Sequence, residues 1–154
     1  MRLTKLIVTF FYLGYSKIAP GSIASLVTTL IFYFFAKYLF FSLLIMIILV
    51  TTVLSFFAVG VYTSGSSEKD KSEIVIDEVI GQSIALSPLL LFSEYNPPEF
   101  YMCVIALLFF RFFDIVKPFP INEVDKINSN FGVIMDDILA GFFSAILLTL
   151  ILNI

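Results

Sequence analysis

Five apolar runs, at residues 22–36, 38–61, 74–92, 99–116 and 132–153, dominate this 154-residue chain. Each is close to the roughly 20 residues that a helix needs to cross a bilayer at about 1.5 Å per residue. The chain is 60% hydrophobic and only 14% charged, and a soluble fold of this length could not bury so much apolar surface. The runs therefore predict an all-α, multi-pass membrane helical bundle, a single domain over 1–154 with about five spanning or near-spanning helices plus short interfacial amphipathic helices. The first, third and fourth runs are marginal in length, so their ends must reach into the interface. Arg2, Lys5, Thr9 and Tyr12 recur at helical spacing and predict an amphipathic helix along the membrane surface. No small-x-small cleavage site follows them, which argues against a signal peptide. Pro97 and Pro98 mark a turn between the third and fourth runs. Pro118 and Pro120 end the fourth, after which Ile121, Val124 and Ile127 suggest a short surface helix.

Charge placement sorts the chain's chemistry onto one face. With the N-terminus cytoplasmic and each run crossing once, Arg2, Lys5, Lys17, Lys69, Lys71, Arg111, Lys117 and Lys126 all lie inside, and only Lys37 lies opposite. The excess of basic residues on the cytoplasmic side is thus strongly met. The acids follow the same division, with only Glu94 and Glu99 outside. Acids contribute little to topology, so their concentration calls for another reason.

Two acidic pairs stand in equivalent places: Asp77–Glu78 in "VIDEVIG" and Asp136–Asp137 in "IMDDILA", each about one turn into an apolar helix. Neighbours on a helix point in different directions, so one acid of each pair can face a shared centre while the other flanks it. Gly81 and Gly141 follow where a small residue lets helices approach closely. Arg111 and Asp114, three apart, share a helix face, and Lys117 follows on roughly the same side. The plain alternative is a solvated fringe, since a helix N-terminus favours an acid by about 0.3–1 kcal/mol. Five acids at matched depth, accompanied by Arg111 and Lys117, fit poorly with a fringe, because carboxylates at a membrane boundary are costly and tend to mark function. Converging carboxylates suit Mg²⁺, which takes hard oxygen ligands and retains waters.

The cations add an anion partner. Arg111 can grip a phosphate bidentately, and Lys117 and Lys17 can act as point charges. Pro20, Gly21 and Ser22 in "APGSIAS" form a turn at a helix start, where free N–H groups favour phosphate, although Ser22 would serve equally as a plain cap. Together these features suggest phosphoryl chemistry. The chain has no histidine and a single cysteine, Cys103, inside an apolar run with no arginine six residues later. Histidine- and cysteine-based phosphatase designs are therefore excluded, and no Asp-x-Asp signature follows a strand. Metal-assisted attack remains, with water as the expected nucleophile.

In order, "APGSIASL", "IVIDEVIG", "FRFFDIVKPFPI" and "GVIMDDILAG" resemble the four motif blocks of the phosphatidylglycerophosphatase A family. The resemblance implies Mg²⁺-dependent removal of the terminal phosphate of phosphatidylglycerophosphate, giving phosphatidylglycerol. It carries the family's acidic positions to Asp77, Glu78, Asp114, Asp136 and Asp137, its basic positions to Arg111 and Lys117, and its Pro-Gly turn to Pro20 and Gly21. Ile76 and Phe119 stand where the family often has tryptophan, and Ala24 where it often has glycine. The expected setting is a bacterial inner membrane with the site at the cytoplasmic face. The expected partners are phosphatidylglycerophosphate and membrane lipid, with no nucleic acid and with oligomeric state open. A cation transporter using the same acids, and a scaffold without chemistry, are the rival classes.

Overall fold

The structure, a computed structural model, describes residues 2–65, 71–92 and 98–153. Lys69, Glu94 and Pro97, which entered the topology above, lie outside them. The described residues form helices joined by turns: α1 (Arg2–Val8), α2 (Pro20–Phe35), α3 (Phe41–Tyr62), α4 (Ile76–Leu86), α5 (Leu89–Phe92), α6 (Phe100–Val116), α7 (Ile121–Asp125) and α8 (Asn130–Leu152). Three helical stretches among them are long and apolar enough to cross a membrane: Pro20–Tyr38, Phe41–Tyr62 and Asn130–Leu152. The helix α3 buries only Leu44, Ile48, Ser55, Ala58 and Val59, and turns residues such as Leu49, Val53 and Phe57 outward. An apolar exterior of this kind suits lipid rather than water.

The third apolar run is not one helix. It divides at Ser87–Pro88 into α4 and α5, because Pro88 has no N–H to continue the ladder. With 17 residues, α6 is also short of a full span, as its run length suggested. Four buried hydroxyls in the bundle are satisfied within their own helices: Ser25 donates to Gly21 O, Thr28 to Ala24 O, Thr29 to Ser25 O and Ser144 to Ala140 O.

The N-terminal helix is shorter than the spacing of its polar residues suggested. Phe10, Phe11 and Tyr12 have left-handed backbone (φ 41°, 56° and 69°), so the helix stops at Val8. Thr9 is fully buried and is no part of a wet face; its hydroxyl donates to Lys5 O and accepts from the Tyr12 N–H. Val8 O accepts the Val75 N–H at 2.9 Å, which docks this segment against the start of α4.

The helices α4 and α8 cross at close range. A Cβ added to Gly141 would lie 2.4 Å from the carbonyl oxygen of Gly81, and one added to Gly81 would lie 2.5 Å from that of Asp137. The two backbones touch at this point, as the small residues suggested. One turn away from the contact, each helix carries its acidic pair.

Candidate active site

The N-termini of α2, α4 and α8 and the C-terminus of α6 converge at one end of the bundle, around a cavity of about 560 Å³. This is within the range of small-molecule sites. Three helix N-termini bring partial positive charge to it. Pro20, Gly21, Ser22, Asp77, Glu78, Arg111, Asp114, Lys117, Asp136 and Asp137 all line it. Lys17 does not: it is exposed in the turn before α2. Lys71, Asp125, Lys126 and Asn128 line the cavity as well, though the sequence had not marked them as site residues.

The acids divide into two groups. Asp77, Glu78 and Asp137 each offer a carboxylate oxygen within 4.8 Å of the others. Asp77 and Asp137 are buried, and neither Glu78 Oε2 nor Asp137 Oδ1 has a hydrogen-bond partner among the described residues. Three close carboxylates with unpartnered buried oxygens are unfavourable unless a cation joins them. All the donors are hard oxygens, so the set fits a Mg²⁺-like ion.

The remaining acids are paired with cations. Asp114 Oδ2 lies 2.6 Å from Arg111 Nη1, and Lys117 Nζ donates to Asp136 Oδ2 at 2.7 Å and also to Asp125 Oδ1. Burial alone would lower the pKa of Lys117, but its bonds to Asp125 and Asp136 outweigh burial and hold it above the ordinary value. Lys117 therefore stays charged at neutral pH. It sits at the end of α6 in left-handed backbone (φ 45°), just before the chain reverses into α7. That reversal brings Asp125 back over the cavity. Ile121, fully buried, anchors the short helix.

The start of α2 closes one wall. Ala19 is left-handed (φ 42°), Pro20 takes the first helical position, and no side chain caps the helix, so Ser22 is not used as a cap. Gly21 lies against Glu78: a Cβ there would be 1.9 Å from Glu78 Oε1. The absence of a side chain at Gly21 is what leaves room for that carboxylate.

Comparison with known proteins adds an independent line. The family model described as phosphatidylglycerophosphatase A matches residues 6–152. A Bacteroides thetaiotaomicron protein, named as a candidate phosphatidylinositol-3-phosphatase, is 34% identical over 93% of this chain and 89% of its own length. A Haemophilus influenzae protein named phosphatidylglycerophosphatase A is 33% identical over 83% of this chain and 76% of its own length. An Escherichia coli protein of the same name is 34% identical over 60% of this chain and 54% of its own length. No solved structure matches the chain.

Proposed function

Because this chain belongs to the phosphatidylglycerophosphatase A family, we propose that it hydrolyses the terminal phosphomonoester of phosphatidylglycerophosphate in a Mg²⁺-dependent reaction, releasing phosphatidylglycerol and phosphate. The observation that carries the mechanism is the trio of Asp77, Glu78 and Asp137, the two aspartates buried and Glu78 half-buried, whose oxygens converge beside two cations. The trio would hold the ion. When bound, Mg²⁺ would offset phosphate charge and make a water more acidic, so that water is the nucleophile in this reading.

The protein's own groups do the rest. Arg111, with five donors in a planar fork, suits the phosphate oxygens, and Asp114 orients it from 2.6 Å. Lys117 is held between Asp125 and Asp136 and presents a permanent positive charge to the charge that develops as the ester bond breaks. Asp136 is thus a positioning group for Lys117 in the first instance, and Asp114 one for Arg111. Pro20, Gly21 and Ser22 offer the N-terminus of α2 to the anion. Lys17, away from the cavity, has no role in this mechanism.

The bilayer can retain the acyl chains while the headgroup enters from one end of the bundle. In the described residues, the basic side chains gather at the cavity end and Lys37 lies at the other. This supports an inner-membrane setting with the N-terminus and the site on the cytoplasmic side.

Two lipid headgroups are named among the relatives, and both combine a phosphomonoester with a phosphodiester. The test is phosphate release by the purified protein from phosphatidylglycerophosphate and, separately, from phosphatidylinositol 3-phosphate, with Mg²⁺ and with a chelator. Release from the first lipid, exceeding that from the second and abolished by the chelator, is expected. Chelator-resistant release would remove the ion from the mechanism, and preference for the inositol lipid would reassign the substrate.

A further inference from the structure

Four cations line the cavity, and three of them are committed: Arg111 to Asp114, Lys117 to Asp125 and Asp136, and Lys126 to Glu123 at 2.8 Å. Among the described residues, Lys71 is the one lining cation with no carboxylate partner. It is not a free-swinging surface lysine either. Its ammonium lies 5.4 Å from the centroid of the Tyr62 ring. The Tyr62 hydroxyl donates to Glu73 Oε1 at 3.1 Å and lies 3.2 Å from the Tyr15 hydroxyl, which anchors the ring at its hydroxyl end. An aromatic face holds a cation in place without cancelling its charge as a carboxylate would. Lys71 is thus a positioned and uncancelled positive charge on the wall of an acid-rich cavity.

The lipid proposed above carries two phosphates. The terminal monoester belongs at the buried acids, Arg111 and Lys117. The diester lies one glycerol unit nearer the acyl chains and must sit further towards the mouth of the cavity. Lys71 is half-buried, whereas Asp77, six residues further on, is buried on the same cavity wall. A diester carries a single charge and exposes two free oxygens, which a lysine point charge matches without an arginine's fork.

We propose that Lys71 forms a second anion subsite, which recognises the phosphodiester of the lipid headgroup and so selects lipids bearing both a monoester and a diester. The proposal rests on the phosphatase reading above and deepens it.

The experiment compares wild type, Lys71→Met and Lys71→Arg on phosphatidylglycerophosphate and on phosphatidate, a lipid monoester with no diester, in mixed micelles. For Lys71→Met the KM for phosphatidylglycerophosphate should rise about ten-fold with kcat little changed, as expected when binding common to ground and transition states is lost. Its kcat/KM on phosphatidate should not change, and Lys71→Arg should recover most of the loss. In parallel, glycerophosphoglycerol, a diester without a monoester, is titrated into each protein by calorimetry. Its affinity should fall about ten-fold in Lys71→Met, the scale of one lost charge-assisted contact. Equal losses on both lipids, or unchanged glycerophosphoglycerol binding, would overturn the assignment. Absence of phosphate release from any lipid by wild type would instead strike at the phosphatase reading, while the calorimetric comparison still decides the role of Lys71.

Discussion

Asp137→Asn is expected to lower kcat about 10³-fold, close to 4 kcal/mol of transition-state stabilisation at about 1.36 kcal/mol per factor of ten. The change keeps the shape of the side chain and removes only its charge. In the proposed site that charge is one of three holding the divalent ion, and the loss falls on turnover rather than on folding. The expected stability change runs the other way. Asp137 is 4% exposed, and its carboxylate lies within 4.8 Å of those of Asp77 and Glu78. Without a cation, like charges at that distance repel, so neutralising one relieves the site. In detergent with a chelator, Asp137→Asn should melt at or above the wild-type temperature. Added Mg²⁺ should raise the melting temperature of wild type and leave that of the variant unmoved. A structural role for Asp137 predicts a lower melting temperature for the variant under both conditions.

The second large effect is expected at a residue with no functional group. Gly21→Ala places a methyl 1.9 Å from Glu78 Oε1, 2.8 Å from Cδ and 3.3 Å from Cγ. Every one of those atoms belongs to a flexible side chain, so the helices can stay in place while the Glu78 carboxylate swings away. Alanine is no worse a helix former than glycine, so the bundle should fold at least as well. Activity should nevertheless fall about 10²-fold, the scale of an ångström-sized misplacement at a reacting centre. A Gly21→Ala protein with wild-type turnover would show that the position of Glu78 does not matter to the chemistry. A variant that failed to fold would show that Gly21 supports the α2–α4 packing rather than the carboxylate.

The convergence of the acids was legible because it follows from local rules. An acidic pair one turn into an apolar helix must lie near the bundle's end, and small residues at Gly81 and Gly141 bring α4 and α8 into backbone contact. The spacing of Arg111 and Asp114 likewise foretold their pairing. Which acid of each pair faces the centre was not legible, because it depends on how the helices are rotated against one another. On α8, Asp137 joins the trio and Asp136 turns to Lys117, whereas on α4 both Asp77 and Glu78 reach the centre. Asp125 was missed for a related reason: the prolines announced the end of α6, but not the direction in which the chain returns. Pro88 was a usable signal for the break in the third run and was passed over within an apolar stretch. Lys17 was read as a point charge for the phosphate, yet the turn before α2 leaves it outside the cavity.

The transporter alternative would need a polar path continuing from the acids through the bundle. Below the site, the hydroxyls of Ser25, Thr28, Thr29 and Ser144 are bonded back to carbonyls of their own helices. The groove at the far end is lined by Phe41, Leu91, Phe92, Phe142, Ile146 and Leu150 among others. Both features favour a site entered from one end.

The most direct measurement is divalent-cation binding itself, with Mn²⁺ as a spectroscopic substitute for Mg²⁺. Purified protein is titrated with Mn²⁺, and the free ion is followed by electron paramagnetic resonance. Wild type and Asp125→Asn are expected to bind the ion with similar affinity, and Asp77→Asn and Asp137→Asn to lose it. Equal Mn²⁺ binding by wild type and Asp137→Asn would contradict the claim that Asp77, Glu78 and Asp137 form the metal centre.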